Sequence, residues 1–167
     1  MAGIIRAEAL DETRFAPFGR ILRLPRSGSA EPTIARDRVT LYGDLARIAI
    51  EDGEVEFGLA VLEAREPRMA EMEQHRHTAE LLFAVRGAFV LPVAPPQDEE
   101  PASARVAAFV IPEGEGCVLH AATWHWAPFP MADRCEILVG FRAGTPRSDM
   151  VVRPMARGDV VEIGWAR

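Results

Sequence analysis

Short apolar segments separated by turn residues recur along this chain, and they constrain its fold more than any other feature. Across residues 55–61 every second side chain is apolar, which is the period of a β-strand. Two apolar runs, 81–85 and 88–93, flank Arg86-Gly87 and predict a hairpin about that turn. The 13 glycines and 13 prolines are spread along the chain and indicate many turns. The pattern therefore predicts an all-β sandwich or barrel with a few short helical turns, one of them capped by Asp11.

The composition is typical of one soluble globular domain spanning residues 1–167. With 167 residues, 49% of them hydrophobic, the chain can bury a sizeable core. A net charge of -6 without a long basic run argues against a nucleic-acid partner. The sequence has no apolar stretch of membrane-spanning length, and the apolar pair at 4–5 is too short for a signal peptide. We therefore expect a cytoplasmic protein whose partners include neither a membrane nor a nucleic acid.

The four histidines fall in two short stretches of the chain. His75 and His77 precede the carboxylate of Glu80, and His120 and His125 follow further along. In an extended strand the side chains at i and i+2 point to the same face, so His75 and His77 are predicted to converge on one point. Imidazole and carboxylate groups are ligands of Zn, Ni, Fe and Mn. The pattern therefore predicts a metal site formed by His75, His77, Glu80 and His125.

Each candidate side chain also has an alternative role. Glu80 could equally pair with Arg86 at the surface. His125 is flanked by two tryptophans, whose rings would screen it from water and favour a neutral, metal-binding imidazole. His120 is either an inward-facing polar residue or the best-placed general base. Arg142 is either a solvated strand residue or a bidentate anchor for a substrate carboxylate.

Two motifs of this sequence resemble those of the cupin superfamily. The first is His75-Arg76-His77 with Glu80 and, after the usual spacing, Gly87; the second is the step at Trp124-His125. The interval between His77 and Glu80 is one residue shorter than in the cupin motif. The resemblance implies a cupin-type jelly-roll β-barrel that holds a divalent metal.

A closer resemblance is to the ureidoglycolate lyase family of cupins. It is carried by Phe-Ala-Pro-Phe-Gly at 15–19, by Glu-Gln-His at 73–75, by Phe-Val-Leu-Pro-Val-Ala-Pro at 89–95, and by a series of matches between 108 and 128. The resemblance implies a homodimeric enzyme of allantoin and purine breakdown that releases urea and glyoxylate from ureidoglycolate, a small organic acid. It also implies nickel, although the ligand set would equally accept Zn, Fe or Mn.

In that chemistry His120 would act as the base, with hydroxide on the metal as the alternative, and Arg142 would hold the substrate carboxylate. The strands around Ile4 and Ile163 are the expected dimer contacts, because a barrel leaves edges that need cover.

Two other functions stay open, because the chain departs from the lyase pattern at several positions. The positions that depart from the lyase pattern are Leu41, His77, Ala79, Glu80, Trp126 and Phe141. His77 and Glu80 are more typical of general cupin ligands, which favours another metal-dependent enzyme, an oxygenase or isomerase acting on a small organic acid. The short interval between them favours a non-catalytic cupin that binds a small molecule.

Overall fold

The structure, a computed structural model, describes residues 3–25, 30–50, 52–97 and 99–166, and β-strands dominate this part of the chain. The strands, in chain order, are β1 (Ile4–Arg6), β2 (Glu8–Ala9), β3 (Gly19–Arg23), β4 (Ile34–Arg36), β5 (Val39–Leu41), β6 (Val55–Glu63), β7 (Arg68–Met69), β8 (Glu71–Gln74), β9 (Glu80–Arg86), β10 (Phe89–Ala94), β11 (Ala107–Ile111), β12 (Glu115–Leu119), β13 (Trp124–His125), β14 (Phe129–Pro130), β15 (Arg134–Arg142), β16 (Val151–Pro154) and β17 (Val161–Gly164). The predicted all-β fold is confirmed.

Short helical turns interrupt the strands, as predicted. They are α1 (Glu12–Phe15), α2 (Thr145–Ser148) and the 3₁₀ turns Ser103–Arg105 and Ala156–Gly158. At the start of α1 the Asp11 carboxylate accepts a hydrogen bond of 2.9 Å from the backbone N–H of Arg14, so Asp11 is the predicted N-cap.

Two large sheets form the barrel. One has the strand order β3-β12-β9-β15-β6, and the other has the order β16-β8-β13-β10-β11-β2, with β14 beside β10. The chain passes from one sheet to the other between β8 and β9, β9 and β10, β11 and β12, and β12 and β13. This alternation between two facing sheets is jelly-roll topology, which confirms the predicted barrel type.

The predicted hairpin about Arg86-Gly87 is wrong in its pairing. Gly87 does form the turn, with a φ of 74°. However, β9 pairs with β12 and β15, whereas β10 pairs with β11, β13 and β14. The turn therefore carries the chain across the barrel from one sheet to the other, a difference that two apolar runs joined by a glycine turn cannot reveal.

Two hydrophobic cores lie on the two faces of β10. Phe89, Leu91 and Val93 point into the barrel, where they meet side chains of both large sheets. Val90 and Ala94 point the other way, into a second core. A strand buried on both faces explains why this segment is apolar without alternation. Cys117 lies in the first core, where it packs as a small apolar residue.

The outer face of β6 is exposed and apolar. Val55, Phe57, Leu59 and Val61 all expose large parts of their side chains. On the other face of the strand, Ala60 and Leu62 pack against the barrel core. A third sheet, with the order β1-β17-β7, joins the two ends of the described chain. Within the described ranges, no helix is long and apolar enough to cross a membrane.

Candidate metal centre

Three of the four predicted ligands meet inside the barrel. His75, Glu80 and His125 are buried, and each offers a ligand atom within 4.8 Å of the other two. Glu80 Oε2 lies 3.0 Å from His125 Nε2 and 3.6 Å from His75 Nε2. We call these three residues the His–Glu–His group.

Strand pairing explains why the group converges. Glu80 is the first residue of β9, and His125 ends β13 opposite Val93, whose side chain lies in the barrel core. Directly opposed residues of an antiparallel pair point to the same face, so His125 also points inward. Its neighbour Trp124 points into the second core. Trp126 also packs against the second core. His125 is therefore shielded from water by the barrel interior, and not by the two tryptophan rings as the sequence suggested.

Backbone carbonyls fix the orientation of both imidazoles. His75 Nδ1 lies 3.0 Å from the carbonyl oxygen of Asp149, and His125 Nδ1 lies 3.0 Å from that of Thr123. A carbonyl oxygen only accepts hydrogen bonds, so each Nδ1 carries the hydrogen that it donates. In the neutral imidazoles the lone pair then lies on Nε2, which is the atom that faces Glu80. Metal-binding histidines are held in this way.

The inner atoms of the group lack hydrogen-bond partners outside the group. Glu80 Oε2 and His125 Nε2 are both buried and lie 3.0 Å apart, and neither makes a hydrogen bond to any other residue that the structure describes. Orphaned polar atoms in a protein interior are rare and require an explanation. A divalent cation between two imidazoles and a carboxylate would satisfy both atoms, so the donor set fits a metal.

The charges of the group shift two pKa values in opposite directions. Burial disfavours the charged imidazole of His125, but the negative charge of Glu80 outweighs it and raises the pKa of His125 to about 9. Burial also acts to raise the pKa of Glu80, but the positive charges of His125 and His75 outweigh it and hold that pKa below its ordinary value. Without a cation, a proton on His125 therefore balances the charge of Glu80.

His77 does not join the group. The strand β8 ends at Gln74, and residues 75–79 lie outside any strand, with a bend at 76–77. The i, i+2 rule, which placed His75 and His77 on one face, therefore does not apply to them. The His77 side chain is exposed, and its backbone N–H donates to Asp149 Oδ2 at 2.9 Å. The predicted convergence of His75 and His77 is not observed.

The two predicted catalytic residues lie outside the group. His120 is exposed in the turn before His125, and its backbone N–H donates to the carbonyl of Phe18 at 2.9 Å. Arg142 ends β15, and its backbone N–H donates to Thr78 Oγ1 at 3.2 Å. Its Nε is buried without a hydrogen-bond partner among the described residues. The catalytic roles of both side chains stay predictions.

Sequence reasoning missed two carboxylates. Glu73 lies opposite His125 in the sheet, with Oε1 3.6 Å from His125 Nε2, and it is partly exposed. Its position two residues before His75 was a signal that could have identified it. Asp149 contacts residues 75–77 from a distant part of the sequence, and no local pattern pointed to it.

Comparison with known protein families gives a match over nearly the whole chain. The family model described as Ureidoglycolate lyase matches residues 2–158. No curated protein matches the chain. Among solved structures, a Bacillus subtilis oxalate decarboxylase studied for its Mn(II) centres is similar at 15% identity over 59% of this chain and 24% of that chain, with a TM-score of 0.42. A structure on a reaction specificity switch in oxalate decarboxylase is similar at 16% identity over 73% of this chain and 30% of that chain, with a TM-score of 0.42. The chain thus spans less than a third of the length of these decarboxylases.

Proposed function

The chain belongs to the ureidoglycolate lyase family, and we propose on this premise that it releases urea and glyoxylate from ureidoglycolate. Such an enzyme is a carbon–nitrogen lyase. The family match over residues 2–158 is the observation that carries the proposal. The buried His–Glu–His group supports it, because it offers a metal centre inside the barrel. We further propose that the enzyme is cytoplasmic and acts as a homodimer on this step of allantoin breakdown.

A divalent cation bound by His75, Glu80 and His125 would supply positive charge that polarises the substrate oxygens and lowers the pKa of the substrate hydroxyl. Family resemblance favours nickel, and the ligand types accept zinc, iron or manganese as well. Glu80 brings a negative charge to the centre, and the two imidazoles bring none once they are neutral.

His120 is the proposed acid–base residue. It would take the proton of the substrate hydroxyl, the resulting oxyanion would become the aldehyde carbonyl of glyoxylate, and the bond from that carbon to the urea nitrogen would break. The same imidazole would return the proton to the departing nitrogen. His120 lies five residues before His125 in the sequence, with a turn at residues 120–123 between them. This proximity along the chain makes His120 the candidate base.

Arg142 is the proposed anchor of the substrate carboxylate. A guanidinium binds a carboxylate through two parallel hydrogen bonds, one of which often comes from Nε. In Arg142 that nitrogen is buried and, within the described ranges, makes no hydrogen bond to the protein. A carboxylate bound there would satisfy it.

A second function is favoured by the ligand set itself. Two histidines and one carboxylate are the ligands of many non-haem Fe(II) oxygenases, and the His–Glu–His group has this composition. An oxygenase acting on a small organic acid is therefore the alternative. It predicts iron in the purified protein and oxygen uptake with substrate, neither of which the lyase requires.

Urea release from ureidoglycolate tests the proposal. The protein is purified without added metal, its metal content is measured, and urea is then quantified with the native metal and after reconstitution with nickel, zinc, iron or manganese. Urea and glyoxylate formed in equal amounts would support the lyase. A fully loaded protein that releases no urea, or one that contains iron and consumes oxygen, would overturn it.

A further inference from the structure

We propose that Asp149 is a positioning residue of the metal centre, which holds the segment that carries His75 through its carboxylate and its backbone carbonyl together. Asp149 Oδ1 accepts the backbone N–H of Arg76 at 3.0 Å, and Oδ2 accepts that of His77 at 2.9 Å. Its carbonyl oxygen lies 3.0 Å from His75 Nδ1. Three contacts from one buried residue thus fix both the backbone and the ring of a ligand.

The segment that Asp149 holds receives little support from the sheets. β8 ends at Gln74 and β9 begins at Glu80, so residues 75–79 lie between two strands, with a bend at 76–77. The Asp149 carboxylate accepts two backbone N–H groups of this bend that would otherwise need another partner. Thr78 is tied to the same part of the chain, because its Oγ1 accepts the backbone N–H of Arg142.

Asp149 is itself held in place. It follows α2, and its backbone N–H donates to the carbonyl of Thr145 at 3.0 Å. Thr145 is fully buried, and its hydroxyl donates to the carbonyl of Arg142 at 2.7 Å. The short helix therefore links the end of β15 to the carboxylate that supports His75. The contact between Asp149 and residues 75–77 thus joins two parts of the chain that are far apart in the sequence.

The position of Asp149 requires a carboxylate, because both of its side-chain oxygens accept hydrogen bonds. A carboxylate offers two acceptor atoms, whereas an asparagine amide replaces one of them by an NH₂ donor. In Asp149→Asn that donor would face a backbone N–H, and in Asp149→Ala both N–H groups would lose their partner. Outer partners that orient a ligand are typically worth roughly 10–100-fold in metal affinity. The proposal rests on metal binding by the His–Glu–His group and is independent of the substrate.

The test compares Asp149→Asn and Asp149→Ala with the parent protein and with Asp159→Asn. Asp159 lies in the same C-terminal region, and its carboxylate accepts from the hydroxyl of Ser103, so its variant controls for the loss of an aspartate. Nickel and zinc affinities are measured by competition with a chelator, well below the unfolding temperature of each variant. Imidazole ¹⁵N shifts of His75 are recorded in metal-free protein, and urea release is measured separately.

We expect Asp149→Ala to lower the metal affinity by roughly 10–100-fold and to change the His75 Nδ1 shift, with a smaller effect in Asp149→Asn and none in Asp159→Asn. Variants with a lower unfolding temperature but parental affinity and His75 shifts would overturn the proposal, since Asp149 would then only stabilise the fold. If Asp149→Ala does not fold, the same two measurements on Asp149→Asn decide. A parent protein that binds metal but releases no urea would overturn the lyase activity, and the positioning role would still be judged by these two measurements.

Discussion

The carboxylate of Glu80 and the imidazole of His125 stabilise each other's charged forms in the metal-free protein. The raised pKa of His125 contributes stability that is fully present below its ordinary value of 6.5 and is lost as the pH rises through about 9. The lowered pKa of Glu80 contributes stability that is present above its ordinary value of 4.5 and is lost as the pH falls through its lowered value. The metal-free protein should therefore be most stable between these two transitions.

Above neutral pH, metal affinity should rise with pH, whereas the stability that His125 contributes to the metal-free protein falls. A cation must displace the proton of His125, so affinity should rise by up to roughly tenfold per pH unit until the pH reaches about 9. Chelator competition between pH 6.5 and 9.5, together with calorimetry in buffers of different ionisation enthalpy, measures the affinity and the protons released. An affinity that does not change across this range would show that His125 is already neutral at pH 7.

The two proposed histidine roles predict different failures. His125→Ala removes a metal ligand and should lose bound metal. His120→Ala should retain the metal and lose turnover by roughly 10²–10⁴-fold, which is the usual contribution of a positioned acid–base group. Urea release and metal content are measured on the same preparations. If His120→Ala keeps full turnover, the base is another group, and partly exposed Glu73 beside His125 is the first candidate.

Sequence alone could predict which side chains converge where the signal is local. His75, Glu80 and His125 stand out because imidazole and carboxylate groups cluster in two short stretches, and the structure brings these three together. His77 was grouped with them by the strand rule, and the structure separates it because the strand ends one residue before His75. Asp149 could not be found, because its role depends on a contact between distant segments and its own neighbours carry no metal-binding pattern.

At the scale of elements, Gly19 decides how closely β3 approaches β12. A Cβ on Gly19 would lie 2.2 Å from the carbonyl oxygen of Val118 and 2.9 Å from Cα of Leu119, and both are backbone atoms that cannot rotate away. Leu119 pairs with Gly19 on one side and with Glu80 on the other. The glycine that ends the Phe-Ala-Pro-Phe-Gly segment thus has a physical role near the His–Glu–His group.

Gly19→Ala should therefore destabilise the fold by about 1–3 kcal/mol, the usual cost of overpacking, and should weaken metal binding by displacing Leu119 towards Glu80. Gly58→Ala is the matched control, because Gly58 also lies in a strand and its added Cβ would meet nothing within 4 Å. Denaturant unfolding and chelator competition measure the two effects. Equal stability of the two variants would contradict the close approach of β3 and β12.

The elements themselves were easier to predict than their pairing. Alternation at residues 55–61 and the apolar runs around Gly87 correctly indicated β6, β9 and β10. The alternation at 55–61 indicated a strand but not its buried face, because the apolar row of β6 is the exposed one. β10 is buried on both faces and therefore has no alternation. Which strands share a sheet depends on where the chain crosses the barrel, and a turn such as the one at Gly87 has the same local sequence requirements in either case.

For the whole molecule, the proposed homodimer needs a surface that a second copy would cover. The predicted contacts around Ile4 and Ile163 are already partly used, because β1 pairs with β17, and Ile163 is buried. β6 is a better candidate. It is a nine-residue edge strand, with β15 on one side and no partner on the other within the described ranges. Long apolar edge strands of this kind associate unless something covers them.

Leu59→Asp should therefore convert the dimer to a monomer. Leu59 is 59% exposed in the middle of the apolar row on β6, and a two-fold contact through this strand would place a charge from each copy in the same buried patch. Ile4→Asp is the control, because Ile4 is 64% exposed and lies at the contact that the sequence favoured. Light scattering at micromolar concentration distinguishes the two sites. A monomeric Leu59→Asp beside a dimeric Ile4→Asp would place the dimer contact on β6, and the reverse result would place it on the terminal strands. A monomeric parent protein would exclude the dimer.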